Sequence, residues 1–461
     1  MSQSTAALLE VLGNALGAGG VVVGAEINER HGSDATGLNA CMPRALLRPR
    51  TTAEVSSILR HCHGAAQPIV IQGGLTGLVG GATPRNGELA LSLERLTGIE
   101  SIDRDGSTLT VRAGTPLAAI HEEVSRHGLQ FALDLGARGS CSIGGNISTN
   151  AGGNRVIRYG MTRELVLGLE AVLADGTVLT SMNCMMKNNA GYDLKHLFIG
   201  SEGTLGVVTR AVLRLHAVPR DRLTALVAVP SFEALVAVLR ESRAALGGQL
   251  GSFEAMWSAY YEFSVERVLT GPRPFSARHP YYALIELEAL NPELDAERLE
   301  ALLARLIEDR LVADAVLARS LAESARLWRV RESAGELLAH LRPVAAYDIS
   351  LPIKAMSAYL ADIEARAAPL LGKWPLFIFG HLGDGNLHIV GGVASPGDNL
   401  ALDAIVYGAL DGFGSVSAEH GIGVLKRSSL SKSRSPVEVE LMKRLKATLD
   451  PRNILNPGRV L

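Results

Sequence analysis

Helical and strand-like patterns of apolar residues alternate in the first half of the chain. Residues 1–17 have the pattern of a short helix. Thr51 and Glu54 have the spacing of a capping box, and the apolar residues after them recur at i, i+3, i+4 and i+7, which predicts a second helix. The apolar run 68–71 predicts a strand that leads directly into a glycine-rich stretch. Alternating elements of this kind indicate α+β packing.

Turn signals divide the rest of the chain. Thr115-Pro116 predicts the start of a helix, and Asp175-Gly176 between two apolar runs predicts a hairpin. Residues 222–320 carry longer helical patterns with scattered strands, and from about 376 short strands and glycine turns precede a terminal helix expected to end at 456–458. These changes predict an N-terminal helical segment, a domain with three glycine-rich patches, a second α+β domain and a C-terminal segment, at residues 1–43, 44–220, 221–410 and 411–461.

Composition excludes several classes of protein. The 461 residues include 45 Lys and Arg against 47 Asp and Glu, a balance that argues against general nucleic-acid binding. The four cysteines form no CxxC pair, which favours reduced thiols over a disulfide framework. No apolar run approaches the roughly 20 residues of a membrane span. A cytoplasmic location is expected, with peripheral membrane contact as an alternative.

Glycine clusters in three patches, at residues 72–81, 135–154 and 200–209. Without a Cβ, successive amides can turn toward one anion at close range, and Thr76 adds a hydroxyl donor. The first patch has neither of the common phosphate-binding glycine motifs, and alone it also fits a tight surface turn. Three such patches in one domain favour an extended dinucleotide.

Two histidines flank a turn later in the chain. On one straight strand, His381 and His388 would point to opposite faces, because they are seven residues apart. The turn predicted at 383–386 instead lets the flanking strands pair and brings both imidazoles together. With Glu419 as a third ligand, the set suits Zn²⁺, Mn²⁺ or Fe²⁺. Alternatives are two unrelated histidines beside a hairpin, a flavin-free metallohydrolase or an iron oxygenase. The glycine clusters argue against the two flavin-free enzymes.

Six segments together resemble one flavoprotein group: IQGGLTGLVGG, GSCSIGGNISTNAGGN, KNNAGYDLKHLFIGSEGTLGVVT, FGHLGDGNLH, GSVSAEHGIG and LDPRNILNPGRVL. Residues ~44–220 resemble the FAD domain of the vanillyl-alcohol oxidase/p-cresol methylhydroxylase superfamily, and the C-terminal half resembles its branch of D-lactate and D-2-hydroxyglutarate dehydrogenases. The resemblance implies a two-part FAD-binding domain, an α+β substrate (cap) domain and a C-terminal helical segment.

The resemblance implies where FAD binds. Its pyrophosphate is expected on residues 73–77, and the second cluster is expected along the flavin and ribityl chain. No histidine lies between Gln72 and Gly81, so non-covalent FAD is expected. The residues implied as FAD contacts are Gln72, Gly73, Gly74, Leu75, Thr76, Gly77, Gly136, Ser140, Cys141, Gly144, Gly145, Asn146, Thr149, Gly152, Val207 and Asn456.

The resemblance also assigns the chemistry. It places a divalent metal, Zn or Mn, on His381, His388 and Glu419, and makes His420 the general base. A small D-2-hydroxy acid is the expected substrate, oxidised by hydride transfer to flavin N5. The electron acceptor stays open between a quinone, an electron-transfer flavoprotein, a cytochrome and oxygen. A homodimer is a candidate assembly, and a non-catalytic FAD-domain subunit is a rival role that retention of these four residues disfavours.

The substrate pocket departs from the 2-hydroxyglutarate pattern. Arg331 matches the arginine that binds the substrate carboxylate, with Arg329 as competitor. D-2-hydroxyglutarate dehydrogenases carry Thr, Lys and Asn where this chain has Gly335, Ala346 and Val390. Loss of three polar groups predicts an apolar tail, as in D-lactate, a longer aliphatic 2-hydroxy acid or D-mandelate. D-2-hydroxyglutarate is the alternative, with Arg342 or His340 as substitute partners.

Overall fold

The chain divides into two compact units in a computed structural model that describes residues 3–395 and 397–461. The first unit comprises residues up to Gly153, then Tyr159–Val218 and Glu419–Leu461. The second comprises Asn154–Arg158 and the described part of Pro219–Ala418. Each unit combines helices with at least one sheet, which confirms the mixed α+β class.

Three sheets form the framework of the first unit. The four-stranded sheet has the order Val21–Val23, Ala45–Leu47, Leu89–Ser92, Ile69–Gln72. The antiparallel five-stranded sheet has the order Ile99–Asp103, Thr108–Arg112, Val207–Arg214, Val166–Val172, Val178–Ser181, and His216–Ala217 pairs with Leu129–Gln130. The hairpin predicted at Asp175-Gly176 is confirmed, because Val172 pairs with Val178 across a turn in which Gly176 has a φ of 87°.

The predicted helices of the first unit are confirmed. Thr51 caps the helix Thr52–Gly64 by accepting a hydrogen bond from the Glu54 amide at 3.1 Å, and the apolar face of this helix is buried. The helix Leu117–Ser125 follows Pro116 and buries Ile120 and Val124. The remaining helices of this part are Gln3–Leu16, Ile143–Ser148, Thr162–Leu165, Lys195–Phe198 and Pro436–Leu449.

One seven-stranded sheet organises the second unit. Its strands have the order Asp314–Leu317, Asp221–Val229, Tyr281–Ala289, Leu250–Trp257, Phe377–Gly380, Asn386–Gly392, Val344–Ser350. All neighbouring pairs are antiparallel. The helices are Phe232–Leu246, Ser258–Arg267, Pro292–Glu308, Leu321–Arg331, Ala334–His340, Ile353–Ala367 and Asp398–Gly408, and residues 156–158 begin the short helix Val156–Tyr159.

The C-terminal helix ends earlier than the sequence pattern predicts. It spans Pro436–Leu449, with Ser435 and Glu438 forming a capping box, and Pro451 follows where a helix cannot readily continue. The expected end at 456–458 is therefore wrong. Residue Asn456 instead has a left-handed φ of 44° in an irregular tail.

A buried arginine fixes this tail to the first unit. Arg459 is 1% exposed, and both of its terminal nitrogens donate to the Glu88 carboxylate at 2.8 Å. Its Nε donates to the Gly81 carbonyl and Nη2 to the Thr83 carbonyl. The same side chain thus fixes the tail to the loop that follows the first glycine patch.

We expect Arg459→Leu to lower the free energy of unfolding by about 3–5 kcal/mol, because Glu88 would be left buried without its cation. The matched control is Arg444→Leu, which removes an exposed pair with Glu440 and should cost about 0–1 kcal/mol. Urea unfolding of the two variants measures the difference. Equal stability of both variants would show that the Arg459 pair does not hold the tail.

Candidate functional site: a dinucleotide cradle and a histidine pair

The first glycine loop has the backbone of an anion-binding loop. It follows the strand Ile69–Gln72 directly, and the backbone amides of residues 74–77 have no hydrogen-bond partner within the part of the chain that the structure describes. Leu75 has a left-handed φ of 59°, a conformation that costs a non-glycine residue about 1–3 kcal/mol. Successive unpaired amides and local strain together fit a loop built to hold a phosphate group.

The second glycine cluster packs backbone to backbone against the first loop. A Cβ on Gly74 would lie 2.1 Å from the Ser140 carbonyl oxygen, and a Cβ on Gly73 would lie 2.6 Å from Ser142 Oγ. On the far side, a Cβ on Gly144 would lie 2.6 Å from the Ala113 Cβ. Glycine is therefore required where these backbones meet.

We call the loop 73–77, residues 140–142 and the helix Ile143–Ser148 together the cradle. Unpaired polar atoms line it. Ser142 Oγ and Asn146 Oδ1 are buried without a hydrogen-bond partner among the described residues. Such atoms are costly unless a ligand or water satisfies them. Burial raises the pKa of the neighbouring Cys141 thiol, which keeps it neutral. The residues present fit a polar dinucleotide such as FAD.

The other residues predicted as FAD contacts differ in their exposure and in their hydrogen-bond partners. Gly136 and Ser140 are exposed, whereas Gly152 and Val207 are buried. The Thr149 hydroxyl donates to the Gly145 carbonyl at 3.1 Å. The Gln72 side-chain amide binds protein partners: Oε1 accepts from His31 Nδ1 at 2.8 Å, and Nε2 donates to two carbonyls.

Asn456 and Glu202 brace the strand below the cradle. Asn456 Oδ1 accepts from the Ile71 amide at 2.8 Å, and its Nδ2 donates to the Glu202 carbonyl at 2.7 Å. The Glu202 carboxylate accepts from the amides of Ile422 and Gly423 at 2.7 and 2.8 Å, and burial raises its pKa. Glu202 therefore fixes the chain immediately after Glu419 and His420. The sequence analysis missed this role, although Glu202 lies in the third glycine patch.

The second unit brings His381 and His388 together. The strands Phe377–Gly380 and Asn386–Gly392 pair, as predicted, around a turn in which Gly385 has a φ of 84°. The two imidazole centroids lie 5.5 Å apart at 78°. Asp348 Oδ1 lies 4.0 Å from His388 Nδ1 and accepts a hydrogen bond from Asn386. Two imidazoles backed by carboxylates are the usual surroundings of a protein-bound metal.

A carboxylate that the sequence did not reveal links this pair to Arg331. Glu254 Oε1 lies 2.7 Å from His381 Nδ1, and Oε2 accepts from Arg331 Nε at 2.7 Å. Burial alone would raise the pKa of Glu254, but the charges of His381 and Arg331 and their hydrogen bonds outweigh it, and the pKa is lowered. The Glu254 carboxylate can accept a hydrogen bond from His381 Nδ1, so a neutral His381 in this arrangement would carry its proton on Nδ1 and its lone pair on Nε2.

The predicted substrate residues are spread over two helices and two strands. Arg331 ends the helix Leu321–Arg331 and is buried, with its guanidinium 5.0 Å from the Phe379 ring centroid. Gly335 is exposed on the next helix. Ala346 and Val390 are cross-strand partners, Ala346 exposed and Val390 buried in an apolar cluster. Glu419 and His420 begin the last segment of the first unit.

Comparisons with known proteins define the class. Residues 43–181 match the family described as FAD binding domain, and residues 218–460 match FAD linked oxidases, C-terminal domain. These matches define an FAD-binding oxidoreductase. The chain is 42% identical over 444 residues to a D-2-hydroxyglutarate dehydrogenase of Xanthomonas citri pv. viticola, covering 94% of this chain and 92% of that protein. The chain therefore belongs to the FAD-linked oxidase family, as its resemblance predicted.

Further relatives and solved structures agree. The chain is 42% identical to mitochondrial D-2-hydroxyglutarate dehydrogenase of Bos taurus, over 91% of this chain and 77% of that protein. A mitochondrial protein of Schizosaccharomyces pombe with the provisional name D-lactate dehydrogenase is 37% identical, over 89% of this chain and 80% of that protein. A substrate-bound p-cresol methylhydroxylase structure aligns with a TM-score of 0.78 at 16% identity, covering 100% of this chain and 97% of its own, which confirms the predicted fold type.

We expect Gly74→Ala to weaken FAD binding, because its methyl group would force the two glycine loops apart. Overpacking of this kind costs about 1–3 kcal/mol, which corresponds to a roughly tenfold or larger rise in Kd. Gly139→Ala is the matched control, since a Cβ there meets nothing within 4 Å. FAD content after dialysis, read from flavin absorbance, distinguishes the two. Full FAD retention by Gly74→Ala would contradict the close packing of the loops.

Proposed function

We propose that the chain oxidises a D-2-hydroxy acid to the 2-oxo acid, with non-covalent FAD receiving the hydride. The observation that carries this proposal is the arrangement around Glu254, where two imidazoles of metal-ligand type and a guanidinium lie within one polar cluster. A guanidinium suits the substrate carboxylate, and the imidazoles suit an ion that holds a hydroxyl group. The names of the relatives give independent support.

His381, His388 and Glu419 are proposed to hold a divalent ion, Zn²⁺ or Mn²⁺. Glu254 Oε1 lies 2.7 Å from His381 Nδ1, which leaves Nε2 as the nitrogen available for coordination. Glu419 directly follows Ala418, whose amide donates to the Asp348 carbonyl at 3.4 Å on the strand that pairs with His388. A bound ion would supply Lewis acidity that lowers the pKa of the substrate hydroxyl.

His420 is proposed as the base that removes the hydroxyl proton. The two hydrogen bonds from the following amides to Glu202 fix the backbone on one side of His420, which limits how far its imidazole can move. Arg331 would orient the substrate through its carboxylate. FAD, when bound, supplies the acceptor for the hydride that leaves Cα.

The tail of the substrate is proposed to be apolar. Val390 is 3% exposed in an apolar cluster that includes Phe377 and Leu341, and its cross-strand partner Ala346 carries no polar group. A second carboxylate placed there without a partner would cost several kcal/mol. D-lactate, a longer aliphatic 2-hydroxy acid and D-mandelate fit this surface. D-2-hydroxyglutarate is the second candidate, because relatives at 42% identity carry that name.

The electron acceptor, the assembly and the location complete the proposal. A quinone, an electron-transfer flavoprotein or a cytochrome is proposed as electron acceptor, and a homodimer as the assembly. We keep the cytoplasm as proposed location, with peripheral membrane contact as the alternative. Among the described residues, no helix has both the length and the apolar character needed to cross a membrane.

We expect the wild-type protein to oxidise D-lactate or D-mandelate with a higher kcat/KM than D-2-hydroxyglutarate. Val390→Asn restores an amide beside the tail and should shift the selectivity toward D-2-hydroxyglutarate by roughly tenfold, the effect of one hydrogen bond to a charged group. Steady-state rates with a dye acceptor and added metal measure both. Val390→Ala is the control, because it enlarges the site without adding a donor. A wild-type preference for D-2-hydroxyglutarate would refute the apolar tail.

We expect His381→Ala to abolish turnover while the protein keeps its FAD, because the cradle and the histidine pair belong to different units. His279→Ala is the control, a histidine of the second unit that contacts Phe275 and Tyr282 instead. Turnover and flavin absorbance are measured on metal-stripped and metal-supplemented protein. Substantial activity in metal-stripped His381→Ala would exclude the proposed metal-assisted scheme.

A further inference from the structure

Glu254 joins two groups that the proposed function uses for different tasks. Resting on that function, we propose that Glu254 is a positioning residue that sets the tautomer of His381 and the direction of Arg331 together. The metal ligand and the carboxylate-binding guanidinium would then be oriented by one side chain. Neither the family matches nor the sequence motifs assign a role to this residue.

The sheet holds Glu254 rigidly. It lies on the central strand Leu250–Trp257, where Ala255 and Met256 pair with Gly380 and Phe379 immediately before His381. Because side chains alternate along a strand, Glu254 shares a face with Met256 and Phe379. Its side chain is 1% exposed, so the positions of its two oxygens are fixed by packing and not by solvent.

Only a carboxylate satisfies both partners. Arg331 Nε is always a donor, and a His381 that binds an ion through Nε2 must donate through Nδ1. A glutamine at this position has one acceptor oxygen and one NH₂ group, so it can satisfy only one of the two donors. If its oxygen accepts from Arg331, its NH₂ faces His381 Nδ1 and favours the tautomer that protonates Nε2.

Arg331 is held on its other sides as well. Its guanidinium lies 5.0 Å from the Phe379 ring centroid, and its carbonyl accepts a hydrogen bond from the Tyr260 hydroxyl at 2.6 Å. The hydrogen bond to Glu254 fixes the direction of Nε. Loss of Glu254 should therefore disturb carboxylate binding as well as metal binding.

Glu286 provides a matched control. It lies on the neighbouring strand, on the same face, and is also buried. Its carboxylate accepts from Trp328 Nε1 at 3.1 Å and from Arg155 Nε at 2.9 Å. Trp328 is on the same helix as Arg331, so Glu286→Gln tests a general loosening of this helix without a change at His381.

The experiment measures metal affinity without turnover. FAD-loaded wild type, Glu254→Gln, Glu254→Asp and Glu286→Gln are stripped of metal and titrated with Zn²⁺ alone against a chromophoric chelator. We expect Glu254→Gln to lower Zn²⁺ affinity roughly 10–100-fold, the usual effect of losing the partner of a metal-bound histidine. Glu254→Asp keeps two acceptor oxygens and should retain more affinity than Glu254→Gln, and Glu286→Gln should stay within about threefold of wild type.

The outcomes separate this inference from the proposed function. If His381→Ala binds Zn²⁺ as tightly as wild type, the metal site itself is wrong. If His381→Ala loses Zn²⁺ but Glu254→Gln keeps it, the role of Glu254 alone is overturned. Equal losses in Glu254→Gln and Glu286→Gln, or in the Gln and Asp variants, would also overturn it, because either result indicates a general structural effect. A raised KM for the hydroxy acid in Glu254→Gln would support the second half of the inference.

Discussion

The cost of burying the Glu254 carboxylate is the constraint on which the histidine site depends. A carboxylate removed from water is stable only when donors replace its hydration, and His381 and Arg331 provide them. The same hydrogen bonds that stabilise the Glu254 carboxylate also fix the direction of the His381 ring and of the Arg331 guanidinium. A polar cluster of this kind gives orientation first, and any contribution to stability is secondary.

Glu202 applies the same principle to the backbone of the first unit. Its two oxygens each accept from a successive amide, Ile422 and Gly423, and its own φ of 51° is in the left-handed region. Asn456 ties the Glu202 carbonyl to the strand that leads into the first glycine loop. The Glu202 side chain and carbonyl thus connect the cradle to the chain that carries His420. In both units, a carboxylate with two donors orients residues to which the proposed function assigns a role.

The sequence predicted the caps and turns that neighbouring residues determine, but it missed the side-chain contacts between residues that are far apart in the chain. The cap at Thr51, the turn at Gly176 and the turn between His381 and His388 depend on a few consecutive residues, and each was predicted correctly. Glu254 is 127 residues from His381, and Glu202 is 220 residues from Ile422, so no local pattern could reveal either pair. The predicted end of the terminal helix was several residues too far along the chain, because Pro451 and the hydrogen bonds of the tail determine where the helix ends.

In the proposed scheme, the sheet face that carries His388 also constrains the choice of substrate. Asp348 pairs with His388 and Ala346 with Val390, so these four side chains lie on one face of two adjacent strands. Because side chains on one face of a strand recur every two residues, Val390 stays at a fixed distance from His388, and Ala346 at a fixed distance from Asp348. A change at Val390 or Ala346 can therefore alter the chemistry of the tail while the strand pairing keeps His388 in place. In the proposed scheme, selectivity among 2-hydroxy acids would be separable from the metal chemistry for this geometric reason.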